Sequence, residues 1–179
     1  MSTQDEPVTK KLRATPVACP HGNYKKYYVA RHASGGLDSR LQLLDEAWFR
    51  GKKCLDIGCN DGTFTRQIAR MFGCAYMLGI DIDSRLIDSA WEATPFPPPV
   101  VEQAPASSVP GPVICWRRED VTTDEHPDQD GYDTISCFSV VKWIHLLHGD
   151  RGLVKLFQKV RCLTALDGRP RGNIAYLAQ

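Results

Sequence analysis

Apolar residues fall along the chain in two kinds of block, which predict strands and helices in alternation. Residues 54–57 are largely apolar, as is typical of a buried parallel strand, and residues 76–80 form a second such run that ends at Asp81. Between the two runs, residues 63–72 carry apolar side chains at the spacing of an amphipathic helix, and Gly73 supplies a helix stop. The pattern therefore predicts a strand, a glycine turn, a helix and a second strand.

The rest of the chain continues this alternation. We predict, in order, a helix at residues 39–49, a helix at 84–93 capped by Ser84, strands at 113–116 and 132–139, a long amphipathic helix that starts after Gly149 and ends at Gly168, and a strand at 173–178. Alternating strands and helices predict the α/β class, with a Rossmann-like, mostly parallel sheet and helices on both faces. Because a strand at the end of the chain leaves an exposed edge, we expect that the C-terminal strands of the fold are missing.

The chain divides by composition into a tail and one domain. Residues 1–21 are polar and hold three prolines, which predicts a disordered N-terminal tail. Residues 22–179 form the domain, which we expect to be incomplete at its C-terminus. Within it, residues 94–112 hold seven of the twelve prolines, which predicts a flexible surface insertion.

Composition excludes several classes of protein. The formal net charge of +1 indicates no global affinity for nucleic acid, although the first 60 residues hold ten Lys and Arg against six acids. Seven cysteines without a C-x-x-C pair predict neither a disulfide framework nor a metal site. The N-terminus lacks a signal-peptide core, and no run approaches the ~18 apolar residues of a membrane span. We therefore expect an intracellular protein without membrane association.

The turn after the first predicted strand carries candidate cofactor chemistry. Gly58, Asn60 and Gly62 stand where a dinucleotide fingerprint has three glycines, and we expect the glycines to let a ligand approach the backbone. Asp56 would repel a pyrophosphate but not a ligand with an amine and a sulfonium. Asp81 lies 23 positions after Gly58, where a ribose-binding acid is expected. These residues predict S-adenosyl-L-methionine as the cofactor, and the alternative is a Rossmann-like scaffold that has lost its ligand.

A set of sequence motifs resembles a known family. They are Asn23-Tyr24-x-Lys26-Tyr27-Tyr28, Arg40-Leu41, Trp48-Phe49-Arg50-Gly51, Leu55-Asp56-Ile57-Gly58-Cys59-Asn60, Gly79-Ile80-Asp81-Ile82-Asp83-Ser84-Arg85-Leu86-Ile87, and Lys142-Trp143-Ile144-His145-Leu146 with Gly149-Asp150-x-Gly152-Leu153. In this order they cover residues 22–166 and resemble the bicoid-interacting family of RNA methyltransferases. The resemblance implies a class I methyltransferase fold. It also implies that a methyl group passes from S-adenosyl-L-methionine to the 5′-terminal γ-phosphate of a small RNA.

The resemblance further implies which residues bind the cofactor. The expected set is Tyr28, Arg40, Gly58, Cys59, Asn60, Asp81, Ile82, Glu119, Asp120 and Phe138. Glu119 and Asp120 stand where the family has an Asn-Tyr pair, and a carboxylate can accept the adenine amino hydrogen. The family continues after the fifth strand with a Glu-Pro-Gln-Pro-Trp segment that is absent from this chain.

The expected acceptor is a phosphate oxygen, which is already anionic at neutral pH and so needs no strong general base. Catalysis would rest on in-line positioning and on cations that neutralise the phosphates. We expect Lys142 and His145 to be catalytic and Lys26, Tyr27 and Arg31 to bind the substrate. In the alternative interpretation, His145 and Tyr27 are structural, and the other cations are ordinary surface charges.

Two further classes of function fit the sequence. One is a non-catalytic RNA-binding or regulatory module that keeps the fold. The other is a small-molecule or protein methyltransferase, against which the aromatic and basic cluster at residues 23–28 argues. We expect a monomer or a component of a ribonucleoprotein, with a 5′-phosphorylated small RNA as its partner and no metal, in the nucleus rather than the cytoplasm.

Overall fold

The computed structural model describes residues 37–94, 111–128, 130–166, 169–170 and 173–177, with side chains through residue 164. The predicted tail at residues 1–21 lies outside the described residues. So do the cluster at residues 23–28 and all but the ends of the insertion predicted at 94–112.

The strands confirm the predicted α/β class. In chain order the described residues form β1 Lys53–Ile57, β2 Tyr76–Asp81, β3 Val113–Arg118, β4 Thr134–Phe138, β5 Ala165–Leu166, β6 Arg169–Pro170 and β7 Asn173–Leu177. Five of them build one parallel sheet in the order β3-β2-β1-β4-β7, while β5 and β6 form a separate antiparallel pair. The five predicted strands fall within two residues of the observed bounds.

The helices agree with the prediction except at their ends. The described residues contain two short 3-10 helices, Ser39–Leu43 and Glu46–Trp48, and three α-helices, α1 Thr63–Met71, α2 Ser84–Glu92 and α3 Val141–Thr164. α2 is capped by Asp83 rather than by the predicted Ser84, because the Asp83 carboxylate accepts a hydrogen bond from the backbone N–H of Arg85.

The prediction of a single helix at residues 39–49 is wrong. Asp38 and Asp45 each cap a separate 3-10 helix, since their carboxylates accept hydrogen bonds from the backbone N–H groups of Arg40 and Ala47. Leu44, between the two helices, is extended at ψ 137°. Two capping acids seven residues apart therefore divide a segment whose apolar spacing alone resembles one helix.

α3 consists of two helices joined at a kink, so the predicted helix start after Gly149 is confirmed and the predicted end is wrong. It begins at Val141 and is interrupted at Gly149, whose φ of 59° and ψ of −159° are accessible almost only to glycine. It ends at Thr164 rather than at Gly168, because Ala165 already pairs with Pro170 in the β5–β6 ladder.

The helices cover both faces of the sheet, as predicted. One face packs α1 and the 3-10 helices against alternate strand residues, in a cluster that includes Phe49, Phe64, Ile68, Met77 and Phe138. The other face packs α3, in a cluster that includes Leu55, Ile80, Ile135, Leu156 and Val160. α2 lies on the α1 face, since Ile114 contacts both the α1 cluster and the cluster of Cys59, Ile87, Ala90 and Trp116.

The strand order fixes the edge at which a ligand can bind. From β1 the chain proceeds to β2 and β3 on one side and then to β4 and β7 on the other. A crevice therefore opens between the carboxyl ends of β1 and β4, the usual position of a ligand in an open parallel sheet. Across this part of the sheet, Asp56 pairs in register with Gly79 of β2 and with Ser136 of β4.

The described residues contain neither a group of three or more side chains that could hold a metal ion nor a helix long and apolar enough to cross a membrane.

Candidate functional site

The turn between β1 and α1 is tied to the end of β2. Its backbone is left-handed at three alternating positions, with φ of 76° at Gly58, 55° at Asn60 and 72° at Gly62. The N–H groups of Gly58 and Cys59 both donate to the carbonyl of Ile80, at 2.8 and 3.0 Å. The turn is therefore a rigid extension of the β1–β2 pair.

Packing accounts for the glycines of this turn. A Cβ built on Gly58 would lie 2.6 Å from Cβ of Val140, and one built on Gly62 would lie 2.4 Å from the Trp116 ring. A Cβ built on Gly79 of β2 would also lie 2.4 Å from the Trp116 ring. Protein atoms thus fill the space of the missing side chains at Gly58 and Gly62, and the approach of a ligand to the backbone of this turn stays a prediction.

Asp81, the predicted ribose acid, ends β2 directly beside this turn. Its carboxylate accepts backbone hydrogen bonds from Asn60 at Oδ2 and from Asp83 at Oδ1, both at 3.0 Å. The residue is 7% exposed. A carboxylate oxygen can accept more than one hydrogen bond, so the two N–H groups orient Asp81 and leave capacity for a diol. Ile82, the next residue, is half-buried and supplies apolar surface at the same edge.

Asp56 lies within β1 below the turn and is shielded from solvent. Thr65 of α1 donates to its Oδ2, and Ser136 of β4 donates to its Oδ1 at 2.7 Å. Burial raises the pKa of Asp56 to about 6, although both hydrogen bonds and the charge of Arg40 act to lower it. The buried carboxylate is thus held by α1 and β4 together, on the strand that leads into the turn.

Arg40 reaches the same region from the first 3-10 helix. Its guanidinium donates to both carboxylate oxygens of Asp38, at 2.9 and 2.7 Å, and lies 4.0 Å above the Phe64 ring. Its Nη1 is 3.5 Å from Oγ of Ser139, the residue after β4, which has a φ of 59°. The predicted cofactor residue Arg40 is therefore placed at the β1–β4 crevice.

Glu119 and Asp120 follow β3, but their carboxylates bond to protein groups. Glu119 accepts from Arg117 at 2.9 Å and contacts Nδ1 of His126 at 3.0 Å. Burial would raise the pKa of Glu119, but His126 and Arg117 outweigh it and hold the pKa below its usual value. Asp120 accepts from the backbone N–H and the hydroxyl of Thr122, at 2.8 and 2.7 Å. Both carboxylates are thus bonded within the protein, Asp120 as a turn cap, and the adenine contact expected of Glu119 and Asp120 stays a prediction.

Two other predicted cofactor residues direct their side chains into the core. Phe138 is buried and meets the ring of Phe64 edge to face, with the centroids 5.1 Å apart. Cys59 is buried beside Trp116. Their side chains therefore pack in the core beneath the turn, and contact of these two residues with the cofactor stays a prediction.

The predicted catalytic pair lies in the first turns of α3, at the exit from β4. Both side chains are exposed. Nζ of Lys142 is 5.3 Å from the centroid of the Trp143 ring, and Nε2 of His145 is 2.9 Å from Oδ1 of Asp150. The remaining predicted residues, Lys26, Tyr27, Tyr28 and Arg31, lie outside the described residues.

Sequence reasoning missed the partners that hold the site together. Asp38 fixes the guanidinium of Arg40, and Thr65 and Ser136 hold Asp56. A local signal existed for Asp38, since an acid two residues before a basic residue at a helix start is a common cap. Ser136 is 80 positions from Asp56 and becomes its neighbour only through the register of β1 with β4.

The site fits a ligand with the chemistry of S-adenosyl-L-methionine. Asp81 offers fixed acceptors for a ribose diol, and Arg40, which is paired with Asp38 and 2% exposed, brings a cation to the same crevice. Asp56 contributes a carboxylate on the strand that leads into the turn, which suits a cationic ligand.

Comparison with known proteins points the same way. The family model of Bicoid-interacting protein 3 (Bin3) matches residues 132–169. A probable RNA methyltransferase of Arabidopsis thaliana is 35% identical over 176 residues, which cover 79% of this chain and 55% of that protein. The U6 snRNA methylphosphate capping enzyme Amus of Drosophila melanogaster is 35% identical, over 86% of this chain and 51% of its own length.

A human relative gives a similar result. The 7SK snRNA methylphosphate capping enzyme of Homo sapiens is 32% identical over 193 residues, which cover 78% of this chain and 27% of that protein. The chain thus spans about half or less of the length of these three relatives. The motif resemblance, the parallel α/β fold and these matches agree, so the chain belongs to the Bin3 family, which implies S-adenosyl-L-methionine as its cofactor.

Proposed function

We propose that this chain is an RNA methyltransferase, which transfers the methyl group of S-adenosyl-L-methionine to a 5′-terminal phosphate of a small RNA. The observation that carries the proposal is the geometry of Asp81. This acid stands at the carboxyl end of β2, and the backbone of the β1–α1 turn and of Asp83 orients its two oxygens. A buried acid in this position suits the ribose of an adenosyl cofactor.

The cofactor would be held by residues from three elements. Asp81 would accept from the ribose hydroxyls, and the half-buried Ile82 would pack on the adenine. Arg40 would pair with the carboxylate of the methionine part, while Asp56 would favour its cationic groups. The cofactor supplies a methyl group activated by a sulfonium.

The acceptor would enter at the exit of β4. A phosphate oxygen needs no strong base, so the protein must hold it in line and offset its charge, and positioning alone can contribute ~7–11 kcal/mol. We propose this role for Lys142 and His145, which are exposed in the first turns of α3. We propose Lys26, Tyr27 and Arg31 as further substrate contacts, with Tyr28 on the cofactor.

The names of two relatives support the choice of acceptor, since they describe methylphosphate capping enzymes of the 7SK and U6 snRNAs. A 5′ γ-phosphate is the substrate we infer from them. On the same ground, we propose a nuclear location and a small nuclear RNA as the partner.

The first test is calorimetric binding of S-adenosylhomocysteine to the 179-residue chain and to Asp81→Asn. We expect micromolar binding that weakens by about 10- to 100-fold in the variant, since a hydrogen bond to a charged group contributes roughly 1.5–3 kcal/mol. Asp88→Asn is the matched control, because it removes the same charge from an exposed position on α2. Equal affinity in all three proteins would refute the role of Asp81.

The second test is methyl transfer to RNAs that differ only at the 5′ end. We expect label from S-adenosyl-L-methionine to enter 5′-triphosphate RNA but not 5′-hydroxyl RNA. Methylation of both RNAs would place the acceptor elsewhere in the RNA. Cofactor binding without transfer to either would favour a non-catalytic RNA-binding module.

A further inference from the structure

The second part of α3, from Asp150 to Thr164, has two contrasting faces. Its buried face packs on the sheet through Gly152, Leu156, Val160 and Leu163. The opposite face is exposed and carries Arg151, Lys155, Gln158 and Arg161 at helical spacing. We call Arg151, Lys155 and Arg161 the α3 basic face.

The acid at the start of this part of α3, Asp150, has its Oδ1 2.9 Å from Nε2 of His145. Residues 151–164 contain four Lys and Arg and no Asp or Glu. Within the described part of the chain, Arg151, Lys155 and Arg161 form no ion pair. By helical spacing Val154 and Phe157, which are 53% and 46% exposed, share this face, so it combines positive charges turned to solvent with some apolar surface.

Helix stability does not account for these charges. Arg151 and Lys155 are separated by four positions, and like charges at that spacing destabilise a helix by about 0.2–0.5 kcal/mol. Arg151 also lies in the first turn after the interruption at Gly149, where the helix dipole disfavours a cation. Only Arg161, in the last turn, is favoured by the dipole. A ligand for the first two cations is the better explanation.

The α3 basic face follows the proposed acceptor site along the same helix. α3 starts at Val141, next to the end of β4, and its first turns carry Lys142 and His145. It then returns over the sheet towards β7, which is parallel to β4, so the helix runs away from the carboxyl edge. The 15 residues after Gly149 extend ~22 Å. A chain of phosphates that starts at the carboxyl edge could follow this face.

We propose that the α3 basic face binds the phosphate backbone of the RNA beyond its 5′ end. The inference rests on the proposed function, since RNA as substrate selects RNA as the occupant of this surface. The contact is electrostatic and independent of base sequence, because it is made by side chains that reach phosphates rather than base edges. It anchors the RNA while the 5′ phosphate lies at the β4 exit.

The test measures RNA affinity in the triple variant Arg151→Gln, Lys155→Gln, Arg161→Gln. The logarithm of the RNA association constant falls linearly with the logarithm of the salt concentration. For single-stranded RNA, each lost phosphate contact should reduce the steepness of this line by ~0.7, so the triple variant should lose about 2 from its slope. At about 0.1 M salt this corresponds to an affinity loss of about 100-fold. Arg151→Gln and Lys155→Gln as single variants should each lose about fivefold.

The matched control neutralises three cations that lie outside α3. Arg50→Gln, Lys52→Gln, Arg70→Gln removes the same total charge from the amino edge of the sheet and from α1 on its other face. We expect its RNA affinity to stay within about twofold of the unchanged protein, because a contact not made releases no counterions. Circular dichroism and S-adenosylhomocysteine binding confirm that both triple variants fold.

Three RNAs separate this inference from the proposed function. A 5′-triphosphate RNA of about 3 nucleotides should bind the triple variant normally, while one of about 20 nucleotides should bind it weakly. One outcome is that the unchanged protein binds the long RNA equally well with a 5′ hydroxyl, while the triple variant binds it more weakly. That result would support the α3 contact and refute the preference for a 5′ phosphate. Unchanged affinity of the triple variant for long RNA, or an equal loss in the control, would overturn the inference. In that case the face would be open to a protein partner instead.

Discussion

Asp56 is a buried carboxylate whose ionisation opposes folding, and this can be measured. It is 3% exposed and lies on β1 between α1 and β4. Burial raises its pKa from an ordinary value of 3.8 to about 6, against the hydrogen bonds of Thr65 and Ser136 and the charge of Arg40. The nearby charge of Asp81 acts in the same direction as burial.

The sign of the pH dependence follows from this raised pKa. Between pH 3.8 and about 6, folded Asp56 holds a proton that the unfolded chain has released. The stability it contributes is therefore complete below pH 3.8 and is lost as the pH rises through about 6. A shift of about 2 pKa units corresponds to about 3 kcal/mol in the free energy of unfolding.

Asp56→Asn removes this titration and keeps the shape of the side chain. The amide can still bond to Thr65 and Ser136, because a hydroxyl can accept as well as donate. Relative to the unchanged protein, we expect the variant to gain about 2–3 kcal/mol as the pH rises from about 4 to about 7, and to gain nothing more above that. Above neutral pH, the variant should be the more stable protein.

Urea denaturation followed by circular dichroism over this pH range measures the difference directly. Asp88→Asn controls for the change in net charge, since Asp88 is exposed on α2. A pH-independent difference between Asp56→Asn and the unchanged protein would refute the reasoning, because it would mean that Arg40 keeps Asp56 ionised. A variant less stable at neutral pH would have the same meaning.

Two further predictions concern stability. Gly79→Ala should lower the free energy of unfolding by about 1–3 kcal/mol, because its Cβ would lie 2.4 Å from the Trp116 ring. In a double-mutant cycle measured by urea denaturation, Trp116→Leu should relieve most of that cost. Gly73→Ala, whose Cβ would meet nothing closer than 4.0 Å, should show only its backbone cost of about 1 kcal/mol, with no dependence on Trp116. Glu119→Gln should lower the free energy of unfolding by about 2–3 kcal/mol at neutral pH. A carboxylate with a lowered pKa stabilises the fold only while it is ionised, so this difference should shrink as the pH falls through the lowered pKa of Glu119. Thermal melts of both proteins at several pH values would show this convergence, and parallel curves would contradict it.

Sequence periodicity was sufficient for the strands of the central sheet because each buried parallel strand is a short apolar run bounded by turn residues. The run at residues 76–80 and its terminal Asp81 correspond to β2, Tyr76–Asp81. The segment at residues 39–49 could not be assigned in this way. Its apolar spacing is helical, but the side chains of Asp38 and Asp45 compete for backbone N–H groups and divide it.

The site was predictable where its determinants are local. Asp81 could be placed because the end of a strand and the preceding glycine turn are both visible within 25 residues. The role of Glu119 depends on Arg117 and on His126, which a turn brings back to the end of β3. No pattern in the sequence signals that such a carboxylate is already bonded within the protein.

The distribution of charge suggests how one edge of the sheet can serve two ligands of opposite charge. Among the residues that the structure describes, the buried charged groups near the β1–β2 edge are Asp38, Arg40, Asp56, Asp81 and Asp83, so acids outnumber cations there. Two like charges at ~4 Å repel by ~4 kcal/mol at the effective dielectric of a protein surface, so this edge favours a cationic ligand over a phosphate.

The cations of α3 lie on the other side of the crevice and are exposed, which suits a polyanion that keeps part of its hydration. A sulfonium on the acidic side and a phosphate on the basic side would meet between β1 and β4. Transfer of the methyl group leaves the cofactor neutral at sulfur and removes one negative charge from the phosphate. Both ligands would then be held less strongly by the surfaces that attracted them, and the same separation of charge that brings the reactants together would favour release of the products.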